Sequence, residues 1–367
     1  MKGHNAAQLL ARVMKWQDEE VQSYVPALQL LAEHKYDYYQ RFGPGRRFIE
    51  SLALWLDRFD EQDRAEALQF IFSKLIFISD AEFSHLVQSA YPDLIVRERM
   101  RIVAEENDIQ PHKVTKIAKH SRFTELKIKS LYLGLSDGAR TNELRRAARG
   151  EIGNEQIWQA YELGETKAAD MIKGLEKTLK EGKHPHERQR FNLIWLLDDF
   201  SGSGNTYIRF DDEEKCFKGK IPKIYARLAL GDLVDPSHYE VFLVLYTATR
   251  QSINHIEYWA ERFTAEEGYK PLQVRVINIL EPETAISLTP NPSLDALIDN
   301  PKYYDARAND KHTKVGGTTD VKRGFAACAL PLVLSHNTPN NSIYLLWGPE
   351  GYEFEGLFPR VSRHLET

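Results

Sequence analysis

The sequence predicts an α/β protein in which helices flank a parallel sheet, preceded by an N-terminal helical domain. Residues 191–197 form an almost unbroken apolar run, which is typical of a strand buried on both faces of a parallel sheet. Strand-like and helix-like segments alternate over residues 241–280, a pattern that extends such a sheet. Residues 151–182 read as a polar helix, and residues 343–347 read as a last short strand. Before residue 115, apolar residues recur at helical spacing instead. We therefore predict a helical domain over residues 1–115 and an α/β domain over residues 116–367.

Composition is that of an ordinary soluble globular protein. Of the 367 residues, 42% are hydrophobic and 28% are charged, and the net charge of −5 gives no general reason to expect nucleic acid as a partner. Two cysteines, Cys216 and Cys328, argue for a reducing compartment and against a disulfide framework. The N-terminus lacks the apolar core of a signal peptide, and the longest later apolar run is too short to cross a bilayer. We expect a cytoplasmic protein without a membrane partner.

The N-terminal region is expected to serve as a helical cap or an interaction domain. Phe48, Leu52, Trp55, Leu56 and Phe59 have the spacing of one helix face. This stripe of large apolar side chains is most simply explained as core. No catalytic constellation is found in this part of the sequence.

A second strand–turn–helix is predicted inside a basic segment that spans residues 112–149. Residues 126–135 alternate as a strand, and residues 141–149 read as a helix. Arg140 could hold a phosphate through two parallel hydrogen bonds or simply lie at the surface. The whole segment is either a solvated face or a basic patch, so nucleic-acid binding stays open as a weaker alternative. The turn consists of Ser136, Asp137, Gly138, Ala139 and Arg140.

Two acids and a loop of small residues directly follow the predicted central strand. Asp198 and Asp199 follow the apolar run, and we expect the strand to have ended and the backbone to have turned there. A helix is expected to begin after the loop, so that free backbone N–H groups face an anion. Ligands of open α/β sheets bind at the carboxyl ends of strands, which makes this the predicted site. The loop residues are Ser201, Gly202, Ser203, Gly204, Asn205 and Thr206.

The loop departs from two common phosphate-binding motifs and fits a third. The Walker A loop requires Lys where Asn205 stands, and the dinucleotide fingerprint requires Gly where Tyr207 stands. Residues 193–199, followed by Gly204 and Thr206, instead resemble the motif of type I phosphoribosyltransferases for 5-phosphoribosyl 1-diphosphate (PRPP). That motif consists of an apolar strand, two acids, four variable residues, Gly, any residue and Thr. The simpler alternative is a buried strand with a capped turn.

A resemblance that covers the whole chain rests on residues 48–56, 133–139, 197–206 and 336–341, with Leu346 and Trp347. In these segments the chain resembles the phosphoribosyltransferase-like proteins of bacterial conflict systems, which act in anti-phage defence. The resemblance implies a type I phosphoribosyltransferase-like sheet and an antiviral, toxin-like effector. Such an effector would act on PRPP or a nucleotide at the ribose C1′ N-glycosidic position, as a phosphoribosyltransferase (a glycosyltransferase) or a related nucleotide N-glycosidase. Its partners would be that small molecule, a defence-system protein or nucleoprotein, and, as an open option, a second copy of the chain.

The resemblance also implies roles for individual residues. Asp198 and Asp199 would hold the ribose hydroxyls as the catalytic acids, with Mg²⁺ as the expected cofactor. Residues 201–206 would bind the 5′-phosphate. Residues 136–140 would bind pyrophosphate, together with a basic loop at residues 177–190.

Two further features bear on specificity and on activity. Side-chain amides offer a donor and an acceptor together, which suits a nucleobase edge, although they also form turns. Gly202 stands where some purine-salvage relatives carry an acidic general base. The alternative function is therefore a catalytically inactive module that senses PRPP or a nucleotide, or binds a partner. The candidate base-binding residues are Asn337, Asn340 and Asn341.

Overall fold

A computed structural model describes residues 3–160, 165–181, 189–230, 233–286 and 291–360. The chain forms two compact units: Met1–Phe83 with Glu281–Thr367, and Ser84–Leu280. The boundary expected near residue 115 falls inside the second unit, and the helical cap domain stays a prediction. Within the described ranges, no helix is both long and apolar enough to span a membrane.

Helices and strands alternate along the chain. The helices are α1 (Gly3–Met14), α2 (Asp18–His34), α3 (Phe48–Asp57), α4 (Arg64–Ser73), α5 (Asp80–Ala90), α6 (Arg97–Glu106), α7 (Val114–Ala118), α8 (Ser121–Ile128), α9 (Thr141–Ala147), α10 (Glu165–Glu181), α11 (Lys220–Leu230), α12 (Arg250–Glu267), α13 (Pro292–Asp299) and α14 (Tyr344–Trp347). The strands are β1 (Ile76–Ile78), β2 (Ser130–Gly134), β3 (Ile157–Gln159), β4 (Leu193–Ser201), β5 (Arg209–Asp211), β6 (Cys216–Lys218), β7 (Glu240–Thr249), β8 (Leu272–Leu280) and β9 (Leu332–Leu334).

The first unit packs helices around the short parallel pair of β1 and β9. The apolar stripe of residues 48–59 is buried, so its prediction as core is confirmed. Trp55 Nε1 donates a hydrogen bond of 3.0 Å to the Leu345 carbonyl, which joins α3 to the chain near α14. The expected last strand at residues 343–347 is wrong: these residues form one helical turn, in which Tyr344 and Trp347 stack edge to face at 5.2 Å.

The second unit is organised around a five-stranded sheet in the order β3-β2-β4-β7-β8, and each pair of neighbours is parallel. One face buries aliphatic residues such as Leu133, Leu196 and Leu243, which share a core with α10, α11 and α12. The opposite face stacks Trp195 on Phe242, with ring centres 4.4 Å apart. The parallel α/β sheet predicted from the sequence is therefore confirmed.

Several boundaries differ from the sequence predictions. Residues 121–128 form α8, so β2 begins only at Ser130, and the predicted helix at residues 151–182 is replaced by β3 followed by α10. Strand β4 continues through Ser201, because Asp198, Phe200 and Ser201 stay in register with β7. The strand therefore has not ended at the acid pair. No helix follows the loop directly: the β5–β6 hairpin intervenes, and α11 begins at Lys220.

The order of strands creates a switch point between β2 and β4. The strand after β2 is β3, which pairs on one side, whereas the main-sheet strand after β4 is β7, which pairs on the other side. The connections that leave β2 and β4 therefore diverge. Open α/β sheets bind ligands at the carboxyl ends of strands where this reversal occurs.

Candidate active site

The two loops at the switch point lie against each other. The Leu135 N–H donates to the Leu197 carbonyl at 2.9 Å, and Ser136 Oγ donates to Asp198 Oδ1. Gly138 touches Asp199 so closely that a Cβ atom there would lie 2.1 Å from Asp199 Oδ2. The structure thus brings the predicted pyrophosphate turn and the predicted acid pair together.

Asp198 is a fully engaged, buried carboxylate with only 1% of its surface exposed. Its Oδ2 accepts hydrogen bonds from Tyr207 Oη and from Lys220 Nζ, each at 2.7 Å. Its Oδ1 accepts from Ser136 Oγ and, at 3.2 Å, from the Asp199 N–H. A carboxylate has about four lone-pair sites, and four donors occupy them here.

Burial and charge set the proton affinity of this cluster. Burial raises the pKa of Asp198, and repulsion from Asp199 raises it further, while Lys220 and Ser136 act in the opposite direction. Burial also raises the pKa of the Tyr207 hydroxyl well above its usual value, and the charge of Asp198 adds to this effect. Tyr207 is therefore a neutral hydrogen-bond donor at physiological pH.

Asp199 is the more accessible of the two acids. Asp199 follows Asp198 on β4, and its carboxylate lies against Gly138 in the turn after β2. Asp199 is half-buried, and its Oδ1 accepts the Phe200 N–H at 2.8 Å. The acid pair therefore divides into one internal acid and one acid at the surface of the site.

The loop of residues 201–206 contains backbone N–H groups that bond to no acceptor in the described part of the chain. Gly204 adopts φ +83°, and Thr249 Oγ1 donates to the Gly202 carbonyl at 2.5 Å, which ties the loop to the start of α12. Among the described residues, no acceptor takes a hydrogen bond from the N–H groups of Ser203, Gly204 or Thr206. A phosphate contact of these N–H groups stays a prediction.

Arg140 closes the turn after β2 in a left-handed backbone conformation, with φ +45°. Its guanidinium donates to Glu143 Oε2 at 3.3 Å and lies 3.5 Å from Ser84 Oγ. The carbonyl of the preceding Ala139 accepts a hydrogen bond of 2.9 Å from the buried Tyr246 hydroxyl, which anchors the turn to β7. A phosphate contact of Arg140 stays a prediction.

The candidate base-binding residues belong to the first unit. Asn341 is buried, and its Nδ2 donates to the Phe325 carbonyl at 3.2 Å, so this amide holds a neighbouring loop. The Asn337 Oδ1 is buried and accepts no hydrogen bond from the described part of the chain. Asn340 is half-buried, and its carbonyl accepts the Phe325 N–H at 2.7 Å. Base recognition by these residues stays a prediction.

Several basic side chains of the segment at residues 112–149 are paired with acidic side chains. Within residues 112–149, Arg122 pairs with Glu106 at 2.7 Å, and Lys129 pairs with Glu125 at 3.1 Å. These ion pairs reduce the positive charge available to nucleic acid. The predicted basic loop at residues 177–190 lies partly outside the described residues, since residues 182–188 are not among them.

The acid pair does not fit a protein-held Mg²⁺. The lone-pair sites of Asp198 are taken, one of them by an ammonium group. In the described ranges, no cluster of three or more His, Cys, Asp or Glu side chains could hold a metal ion.

Lys220 and Tyr207 are the site residues that sequence reasoning missed. In the sequence alone, Tyr207 only rules out the dinucleotide fingerprint, and Lys220 lies in a charged stretch, residues 210–238, that reads as an insertion. The one available signal was the Tyr207 side chain itself, an aromatic residue placed directly after a phosphate-type loop.

Comparison with known families agrees with this geometry. The family model PRTase-CE matches residues 52–360, a range that includes both loops and the acid pair. Comparisons with curated proteins and with solved structures return no match. Because the family model covers most of the sequence, the chain belongs to the PRTase-CE family and is phosphoribosyltransferase-like.

Proposed function

We propose that the carboxyl edge of β2 and β4 binds a phosphoribosyl ligand, PRPP or a nucleotide, and acts at the ribose C1′ position. The observation that carries this proposal is the meeting of two loops at the switch point, where Gly138 lies against Asp199 and Ser136 bonds to Asp198. One loop offers free N–H groups to a phosphate, and the other lies beside the acid pair. Two anion-binding elements at either side of a carboxylate suit a sugar that carries phosphate at both ends.

Each element has a distinct role in this proposal. Residues 201–206 bind the 5′-phosphate through N–H groups and the Thr206 hydroxyl. Asp199 accepts hydrogen bonds from the ribose hydroxyls, and Asp198 holds the site together. Residues 136–140 receive the pyrophosphate, whose departure leaves positive charge on the sugar; nearby carboxylates stabilise such an oxocarbenium-like state. Mg²⁺ enters, in this account, as part of the ligand's own pyrophosphate complex.

The alternative is a sensor that binds the same ligand without changing it. Two observations favour it: Asp198 is satisfied internally, and Gly202 supplies no acidic base where some relatives carry one. Both functions predict ligand binding, and only the enzyme predicts turnover. Pyrophosphate release and nucleotide loss therefore separate them.

The biological setting we propose is that of an effector in a bacterial defence system, activated by a protein or nucleoprotein partner. The sequence resemblance supports this setting. Such an effector would remain inactive until its partner engages it, so we expect turnover only when the partner is present. Assays should compare the chain alone with the chain in lysates of phage-infected cells.

Calorimetric titration with PRPP, ribose 5-phosphate and common nucleotides, each with and without Mg²⁺, tests the binding proposal. We expect a phosphorylated ribose to bind and free ribose not to bind, because the cradle recognises the phosphate. Equal and negligible heats for all of these compounds, from protein with a cooperative thermal melt, would contradict the proposal.

A further inference from the structure

The acid pair already has a cation beside it. Lys220 Nζ lies 2.7 Å from Asp198 Oδ2 and 5.1 Å from the centre of the Tyr207 ring. Burying one carboxylate beside a second one is unfavourable unless positive charge compensates the pair. Here the compensating charge comes from the chain.

The backbone holds Lys220 in this position. Gly219 adopts φ +127°, and a Cβ atom there would lie 2.3 Å from the Tyr207 carbonyl oxygen, so only glycine allows the close approach. The Lys220 N–H then donates to the Thr206 carbonyl at 3.1 Å, and the Ile221 N–H donates to the Tyr207 carbonyl at 2.9 Å. The β5–β6 hairpin thus returns the chain to the base of the cradle and presents the ammonium group to Asp198.

We propose that the Lys220 ammonium group occupies the cation position of the acid pair, so that the ligand-free protein binds no divalent metal ion there. A metal ion at Asp198 would have to displace Lys220, Tyr207 or Ser136, each of which donates to that carboxylate. The inference rests on the proposed function in one respect only. If the site binds PRPP, its Mg²⁺ arrives with the ligand and stays on the ligand's pyrophosphate.

Lys220→Gln is the variant that isolates the charge, because glutamine retains an N–H donor for Asp198. Lys218→Gln is a matched control: the Lys218 side chain has the same exposed fraction, 29%, but pairs with Asp211 at 2.7 Å within the hairpin. Mn²⁺ binding to the ligand-free full-length chain is followed by electron paramagnetic resonance. A thermal melt of each protein establishes that it is folded.

We expect Lys220→Gln to bind Mn²⁺ at least about tenfold more tightly than wild type and Lys218→Gln, because the uncompensated acid pair attracts a cation. Adding Asp199→Asn to Lys220→Gln should remove this gain. The inference is overturned if wild type binds Mn²⁺ and loses it on Asp199→Asn, or if folded Lys220→Gln gains nothing. If Lys220→Gln does not fold, the titrations of wild type and of Asp199→Asn with Mn²⁺ decide the question. The inference is then supported if neither protein binds Mn²⁺.

This experiment contains no phosphosugar, so its result is separate from that of the proposed function. If the protein fails to bind PRPP, its Lys220→Gln variant can still bind Mn²⁺ more tightly than wild type. Conversely, a protein that binds PRPP tightly can hold Mn²⁺ at the acid pair, which would refute the role of Lys220 and leave the proposed function intact.

Discussion

Gly138 and Asp199 are in direct contact across the two loops of the candidate site. A Cβ atom on residue 138 would lie 2.1 Å from Asp199 Oδ2 and 2.6 Å from its Cγ, distances at which one loop must move. The absence of a side chain at residue 138 is therefore what allows the turn after β2 to reach the acid that follows the apolar core of β4.

Gly138→Ala should weaken phosphosugar binding by about tenfold or more, roughly 1.4 kcal/mol, because it displaces Asp199 or the turn. Gly153→Ala is the control, since its nearest contact, Gln156 Oε1, would be at an ordinary 3.5 Å. Calorimetry with PRPP measures both. Equal affinities of Gly138→Ala and wild type would show that this contact does not matter for binding.

Gly204→Ala should destabilise the second unit by more than its backbone conformation alone explains. Gly204 has φ +83°, and a Cβ atom would lie 2.8 Å from His255 Cδ2 and 3.1 Å from the Ser252 carbonyl oxygen. Gly268 has φ +72° with nothing within 4 Å, so Gly268→Ala measures the conformational cost alone, about 1–2 kcal/mol. Urea denaturation should give the larger loss for Gly204→Ala; equal losses would mean that α12 and the loop adjust freely.

Thr206→Ala should weaken binding of ribose 5-phosphate by about 1–3 kcal/mol, the scale of a hydrogen bond to a charged group. Thr206 is exposed, so the Thr206→Ala substitution should change the free energy of unfolding of the protein little. Thr178→Ala is a control at an exposed hydroxyl that bonds only to the Gly174 carbonyl of its own helix. An unchanged affinity of Thr206→Ala would remove this hydroxyl from the proposed cradle.

Stability should respond to pH through Asp198. Burial, aided by Asp199, raises its pKa above the unfolded value of about 3.9, so its ionisation disfavours the folded state. This contribution to stability is present below pH ~4 and is lost as the pH rises through the raised pKa. The asparagine of the Asp198→Asn variant cannot ionise, so the variant does not lose this stability as the pH rises. Its free energy of unfolding relative to that of wild type should therefore rise from pH 4 to pH 8. Urea titrations across this range check the sign, and a relative fall would mean that Lys220 dominates and lowers the pKa.

The sheet could be predicted because several of its strands are recognisable from the local pattern of apolar and polar residues. The apolar run that ends at Leu197 and the strand at Leu272–Leu280 are buried or half-buried stretches bounded by polar residues, and each forms a strand. The short turn at residues 344–347 could not be recognised, because four apolar residues fit one helical turn as well as a strand.

The site was predictable only where residues adjoin in sequence. The acid pair and its loop form one local pattern, but Lys220 reaches Asp198 across a hairpin, 22 positions away. The continuation of β4 through Ser201 depends on pairing with β7, which no local pattern reports. Tertiary pairing therefore determined which acid is internal and which lies at the surface.

The most direct test of the account is PRPP binding by Asp199→Asn, measured by calorimetry beside wild type and Asp212→Asn, an exposed acid in the nearby hairpin. We predict that wild type and Asp212→Asn bind PRPP with equal affinity, and that Asp199→Asn, with an unchanged thermal melt, binds at least about tenfold more weakly. Wild-type affinity in a folded Asp199→Asn protein would contradict the claim that the carboxyl edge of β2 and β4 is a phosphoribosyl site.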